Sequence, residues 1–98
     1  MQFARPPNGF KIKLSKTVDA LRRSEVEHRP EFERFWEDLI EYIKIVAHRV
    51  GTPEPRLGNG YRLFATGPDA ISGQPRIVIG YLVLGDTVTI RLLRVTYH

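Results

Sequence analysis

A chain of 98 residues can enclose only one hydrophobic core, which leaves no room for a two-domain arrangement. Hydrophobic residues make up 42% of it, charges are spread rather than blocked, and cysteine is absent, so wholesale disorder, a disulfide framework and a thiolate metal site all fit poorly. The formal net charge of +4 favours an anionic partner, and the bias is uneven: residues 51–98 carry Arg56, Arg62, Arg76, Arg91 and Arg94 against Glu54, Asp69 and Asp86, while carboxylates crowd into 19–41.

Met1 to Phe10 contains Arg5, Pro6, Pro7, Asn8 and Gly9 instead of an apolar run, so no signal peptide is expected, nor is any stretch long enough to span a membrane. A cytoplasmic address follows as the expectation. Phe10-Lys11-Ile12-Lys13-Leu14 alternates apolar and basic residues, which predicts a short strand with one buried face. Ser15 or Thr17 can cap the helix that follows, where Val18, Leu21 and Val26 recur near helical spacing. Arg29 is disfavoured as helix because it precedes Pro30, and Pro30 suits the first turn of a new one. From Pro30 to Val50, Phe32, Phe35, Trp36, Leu39, Ile40, Ile43, Val46, Ala47 and Val50 form one broad apolar face. Early carboxylates and late Lys44, His48 and Arg49 match the helix dipole, and Gly51 with Pro53 and Pro55 stops the helix.

Gly58-Asn59-Gly60 signals a turn before a second strand over Tyr61–Thr66, and Gly67 to Pro75 has the composition of a surface loop. Arg76–Leu84 is nearly continuous in apolar residues and predicts a central strand. Gly85-Asp86 joins it by a two-residue hairpin to a last strand over Thr87–Tyr97, in which the alternation slips at Leu92-Leu93 through a bulge or a strand end covered on both faces. The expected architecture is a single α+β domain over 1–98: an irregular segment 1–9, strand, helix, helix, then a three-stranded antiparallel C-terminal sheet.

That order, with Phe10 to Arg22 as opening strand, cap and first helix, Gly60-Tyr61-Arg62-Leu63 as second-strand entry, and Arg76 to Tyr81, Gly85-Asp86 and Thr89 to Val95 as terminal hairpin, resembles the RelE/ParE superfamily of bacterial type II toxin–antitoxin toxins. Two departures are visible: the 67–75 loop is longer than the usual connection, and the chain ends soon after its last strand. The ribonuclease branch cuts messenger RNA on the ribosome with the RNA's own 2′-hydroxyl as nucleophile. Such chemistry needs a base, an acid and cations around the phosphate, with no metal or other cofactor. The resemblance implies phosphate-binding roles for Arg62 and Arg76 and acid or base roles for Tyr97 and His98; Lys11, Lys13, Arg91 and Arg94 are candidates to add to a basic, RNA-binding groove, or are simply the wet side of their strands. It further implies a cognate antitoxin as partner. The ParE branch offers an alternative, a non-catalytic toxin that binds DNA gyrase, and a non-toxic dimeric interaction module is a third reading.

Each residue also has a plain structural role. Arg62 is out of phase with Tyr61 and Leu63 and suits a solvated sheet face, Arg76 suits a solubilising charge beside a buried strand, and Tyr97 suits the rim of the core. His98 is terminal. His28 and His48 have no partner at metal-ligand spacing.

Overall fold

The computed structural model of the protein describes residues 6–97. Its elements are β1 (Lys11–Leu14), α1 (Lys16–His28), α2 (Phe32–Val46), β2 (Thr52–Pro53), a 3-10 turn (Pro55–Leu57), β3 (Arg62–Thr66), β4 (Arg76–Leu84) and β5 (Thr87–Thr96). The α+β class expected from the pattern is present. The sheet is larger than the three antiparallel strands expected: five strands lie in the order β1-β5-β4-β3-β2, and β1 runs parallel to β5. The first strand joins the C-terminal meander because Ile12 and Leu14 need cover beside Val88 and Ile90, with which they pair.

Ser15 starts α1 by accepting the Val18 N–H at its hydroxyl, 3.2 Å away, which satisfies one donor of the open first turn. The helix stops at His28, before Arg29 and Pro30. In α2 the three- and four-residue spacing does what it predicts. Phe32, Phe35, Trp36, Leu39 and Ile43 are buried on one face, against Ile77, Ile79, Tyr81, Val88 and Ile90 of the sheet. α2 ends at Val46, four residues short of the predicted Val50, because β4 competes for its last carbonyls. The Tyr81 hydroxyl shares its one proton between the carbonyls of Ala47 (2.8 Å) and Val50 (3.0 Å), drawing the chain out of the helical path.

Sheet alternation sorts the side chains onto two faces. Ile12, Leu14, Ile77, Ile79, Tyr81, Val88, Ile90 and Leu93 face the helices. Lys11, Lys13, Arg76, Val78, Gly80, Leu82, Thr87, Thr89, Leu92 and Arg94 take the outer face. The slip at Leu92-Leu93 is a bulge: Tyr81 pairs with Ile90 and Gly80 with Leu92, so Arg91 is the inserted residue. Gly85, at φ 58, occupies the first central position of the two-residue turn between Leu84 and Thr87, where an L side chain would be strained.

The β3 side of the outer face is covered by the 3-10 turn. Leu57 reaches over Gly80, where a Cβ would come within 2.6 Å of the Leu57 Cδ1 and 2.9 Å of the Leu92 Cβ. Gly80→Ala is therefore expected to cost about 1–3 kcal/mol by overpacking. A lower urea midpoint at unchanged slope checks it, and Leu57→Ala in the same chain should recover part of the loss.

Candidate nucleic-acid interface

The β1–β5 half of the outer face has no such cover, and it is basic. Lys11 and Lys13 come from β1, Arg91 and Arg94 from β5 and Arg76 from β4, and all five are exposed. β1 supplies lysines here because its alternation sends Ile12 and Leu14 inward, and the bulge supplies Arg91. Lys11 pairs with Asp86 at 3.5 Å, and Asp86 is held below the usual carboxylate range by the Thr87 hydroxyl and then by Lys11. Among the described residues Lys13, Arg76, Arg91 and Arg94 take part in no ion pair. Arg91 lies across the sheet toward Tyr61, with its guanidinium carbon 6.0 Å from the ring centroid. Tyr61 is itself buried, so the face presents cations and threonine hydroxyls and no exposed aromatic ring among the described residues.

Arg76 lies apart from the others, lining a shallow cleft of about 410 Å³ with Leu63, Ala65 and Val78 toward the β3 edge. Arg94 stands on the neighbouring strand opposite Val78. From Arg76 past Arg94 to Arg91 and Lys13 the cations follow a diagonal of roughly 20 Å, taking strand rise and spacing at their usual values.

Arg62 is elsewhere. It pairs with Tyr81 and so points to the helix side, opposite to Arg76. Its guanidinium donates to the carbonyls of Val50 (3.1 Å) and Gly51 (3.0 Å), binding β3 to the chain that leaves α2. The phase difference from Tyr61 and Leu63 is real, but the solvated-face reading is inverted. Tyr61 and Leu63 face outward beneath Leu57 and Arg91, and Arg62 faces inward onto backbone carbonyls left open by the early helix end.

Tyr97 is also on the helix side. Its hydroxyl donates to Glu25 of α1 at 3.2 Å, and the Arg29 guanidinium carbon sits 3.7 Å from its ring centroid. Burial, followed by the Glu25 carboxylate, pushes this phenol up to about 12, so it stays protonated at neutral pH. It fastens the end of β5 to the α1–α2 junction. His98 lies outside the described residues. The structure thus brings Lys11, Lys13, Arg76, Arg91 and Arg94 onto one face and does not bring Arg62, Arg76 and Tyr97 together. Lys16, beside Lys13 at the start of α1, belongs with the basic group although no sequence pattern singles it out; a cation next to a helix cap is the only signal that marks it.

Tyr81 has a pH signature of its own, since burial pushes its phenol up to about 12. An unfolded tyrosine releases its proton near about 10. The folded state therefore holds a proton that the unfolded chain loses, and the Tyr81 contribution is complete below about pH 10 and fades as pH rises toward about 12. Tyr81→Phe, which removes the bonds to Ala47 and Val50, should cost about 1–2 kcal/mol at neutral pH and make the alkaline limb shallower, leaving the part due to Tyr97. Urea unfolding followed across that range checks both.

Among the described residues no helix is long and apolar enough to cross a membrane, and no group of His, Asp and Glu side chains is placed to hold a metal ion. No protein-family model, curated protein sequence or solved structure matches the chain.

Proposed function

We propose that the chain is the toxin of a bacterial type II toxin–antitoxin pair, of the RelE/ParE kind, and that it acts in the cytoplasm by laying its uncovered sheet face on RNA. One observation carries the reading: Lys13, Arg76, Arg91 and Arg94 share an exposed face without a carboxylate partner among the described residues. Unneutralised cations along a strand-length path suit the phosphates of a single-stranded nucleic acid, and the absence of an exposed ring on that face among the described residues favours backbone contact over base reading. The strand-helix-helix-meander order supports the family resemblance. Within that resemblance the activity is ribosome-dependent cleavage of messenger RNA through its own 2′-hydroxyl, with Arg76 the candidate for the phosphate. The cognate antitoxin covers the basic face with an acidic extended or helical segment.

The experiment is controlled induction in a bacterial host with mapping of message ends. Growth arrest with cuts inside translated messages supports the reading, and arrest with an intact message pool overturns cleavage. A ParE-like action on gyrase without catalysis is the second reading. It is favoured by one observation: Arg62 and Tyr97 are engaged on the helix side, so no acid–base set gathers beside Arg76 among the described residues. Inhibition of supercoiling by the purified chain, with RNA left whole, would select it.

A further inference from the structure

We infer that the cleft between the start of α1 and the β1–β5 border is a phosphate-binding subsite, the place where one phosphate of a nucleotide chain is held. The subsite depends on the RNA-contact reading of the sheet face and specifies a point on it. The cleft has a volume of about 540 Å³ and is lined by Lys13, Ser15, Lys16, Thr17, Thr89 and Arg91. Three basic residues from three separate elements, β1, α1 and β5, therefore border it. No carboxylate lines it, and none of the three is in an ion pair among the described residues.

Like charges gathered around a concavity repel one another, and Lys13 and Lys16 make no side-chain hydrogen bond or ion pair among the described residues that would offset this, while Arg91 has only the Tyr61 ring at 6.0 Å. An anion seated among them removes the repulsion and adds charge-assisted hydrogen bonds. Arg91 is present because the bulge inserts it; a regular strand would offer one outward residue fewer at this point. The hydroxyls of Thr17 and Thr89 complete a mixed set of ammonium, guanidinium and hydroxyl donors suited to a tetrahedral oxyanion. A space of this size is within the range of small-ligand sites, so it takes a phosphate carried on a nucleotide as well as a bare ion.

Lys16 separates the subsite from the face, since it projects from α1 and not from the sheet. The test titrates the isotope-labelled full chain with inorganic phosphate, and with a four-residue oligouridylate with and without a 5′-phosphate, following backbone amide signals. Inorganic phosphate and the 5′-phosphorylated oligomer should both shift the signals of Lys16, Thr17, Thr89 and Arg91 together. Lys16→Gln with Arg91→Gln should weaken inorganic phosphate about tenfold, the scale of two solvent-exposed charge pairs, while Arg34→Gln, on α2, leaves it unchanged. Tighter binding of the 5′-phosphorylated oligomer identifies a terminal phosphate as the occupant, and equal binding identifies an internal one. Shifts spread over Arg76 and Arg94 without focus on the cleft, or unchanged phosphate affinity in the double variant, overturn the subsite even if the oligomer still binds. Phosphate shifts confined to the cleft with no oligomer binding leave the subsite standing and overturn the RNA reading.

Discussion

Arg62→Ala is expected to lower folding stability by about 2–3 kcal/mol, because a charged donor to two carbonyls disappears and leaves them poorly solvated. Those carbonyls belong to Val50 and Gly51, on the stretch that turns from α2 into β2, and Val50 also accepts from Tyr81. The effect should therefore couple with Tyr81→Phe, so that the double variant costs measurably less or more than the sum of the singles. Arg62→Lys should recover part, since both carbonyls accept from one terminal nitrogen, which a shorter-reaching ammonium replaces only in part. Thermal and urea unfolding measure this directly. Were Arg62→Ala to keep its unfolding midpoint and lose RNA binding, the structural assignment of Arg62 would be wrong.

The triple variant Lys13→Gln, Arg91→Gln and Arg94→Gln should behave in the opposite way. All three are exposed and free of ion pairs among the described residues, so folding stability should move by no more than about 0.5 kcal/mol per site. Affinity for single-stranded RNA should fall about a hundredfold at low salt. The dependence of log affinity on log salt should flatten by about 0.7 for each phosphate that is no longer neutralised. Binding titrations between about 50 and 200 mM salt measure both quantities. An unchanged salt slope would remove the sheet face as the contact surface, whatever happened to the affinity.

The elements legible in the sequence are those whose pattern is local. β4 begins and ends where its apolar run does, and the Gly85-Asp86 turn fixes its register with β5. α2 shows its buried face through spacing alone. What is not legible depends on contacts distant in the chain. β1 shows that it has a buried side but not which strand it lies beside, and its parallel partner is 76 residues further along, Lys11 with Thr87. The early end of α2 is set by Tyr81 and Arg62, thirty or so positions and a dozen positions away from the carbonyls they take. Arg62 defeats the alternation rule for the same reason: at its end of β3 both faces are covered, by the 3-10 turn on one side and the chain leaving α2 on the other, so being out of phase with an apolar neighbour does not mean being wet. Lys11, Lys13 and Arg91 are legible because period-two alternation on β1 and the first half of β5 places charges on one side wherever the other is core, whereas Arg94 joins them only through the bulge that shifts the phase of the strand.

The inserted Arg91 divides β5 into two halves of opposite parity. Up to Ile90 the even positions are the dry ones, and from Leu93 onward the odd positions are. Ironing the irregularity flat while keeping every residue would turn Arg94 and Thr96 toward the core and roll Leu93 and Val95 out to water, so the kink is enforced by the interior on either side of it. Excising Arg91 alone would instead give an unbroken rhythm with each remaining side chain on the side it already occupies. A chain one residue shorter at this point should therefore keep the same interior, and would forfeit the local coil of the strand together with a guanidinium on its wet side.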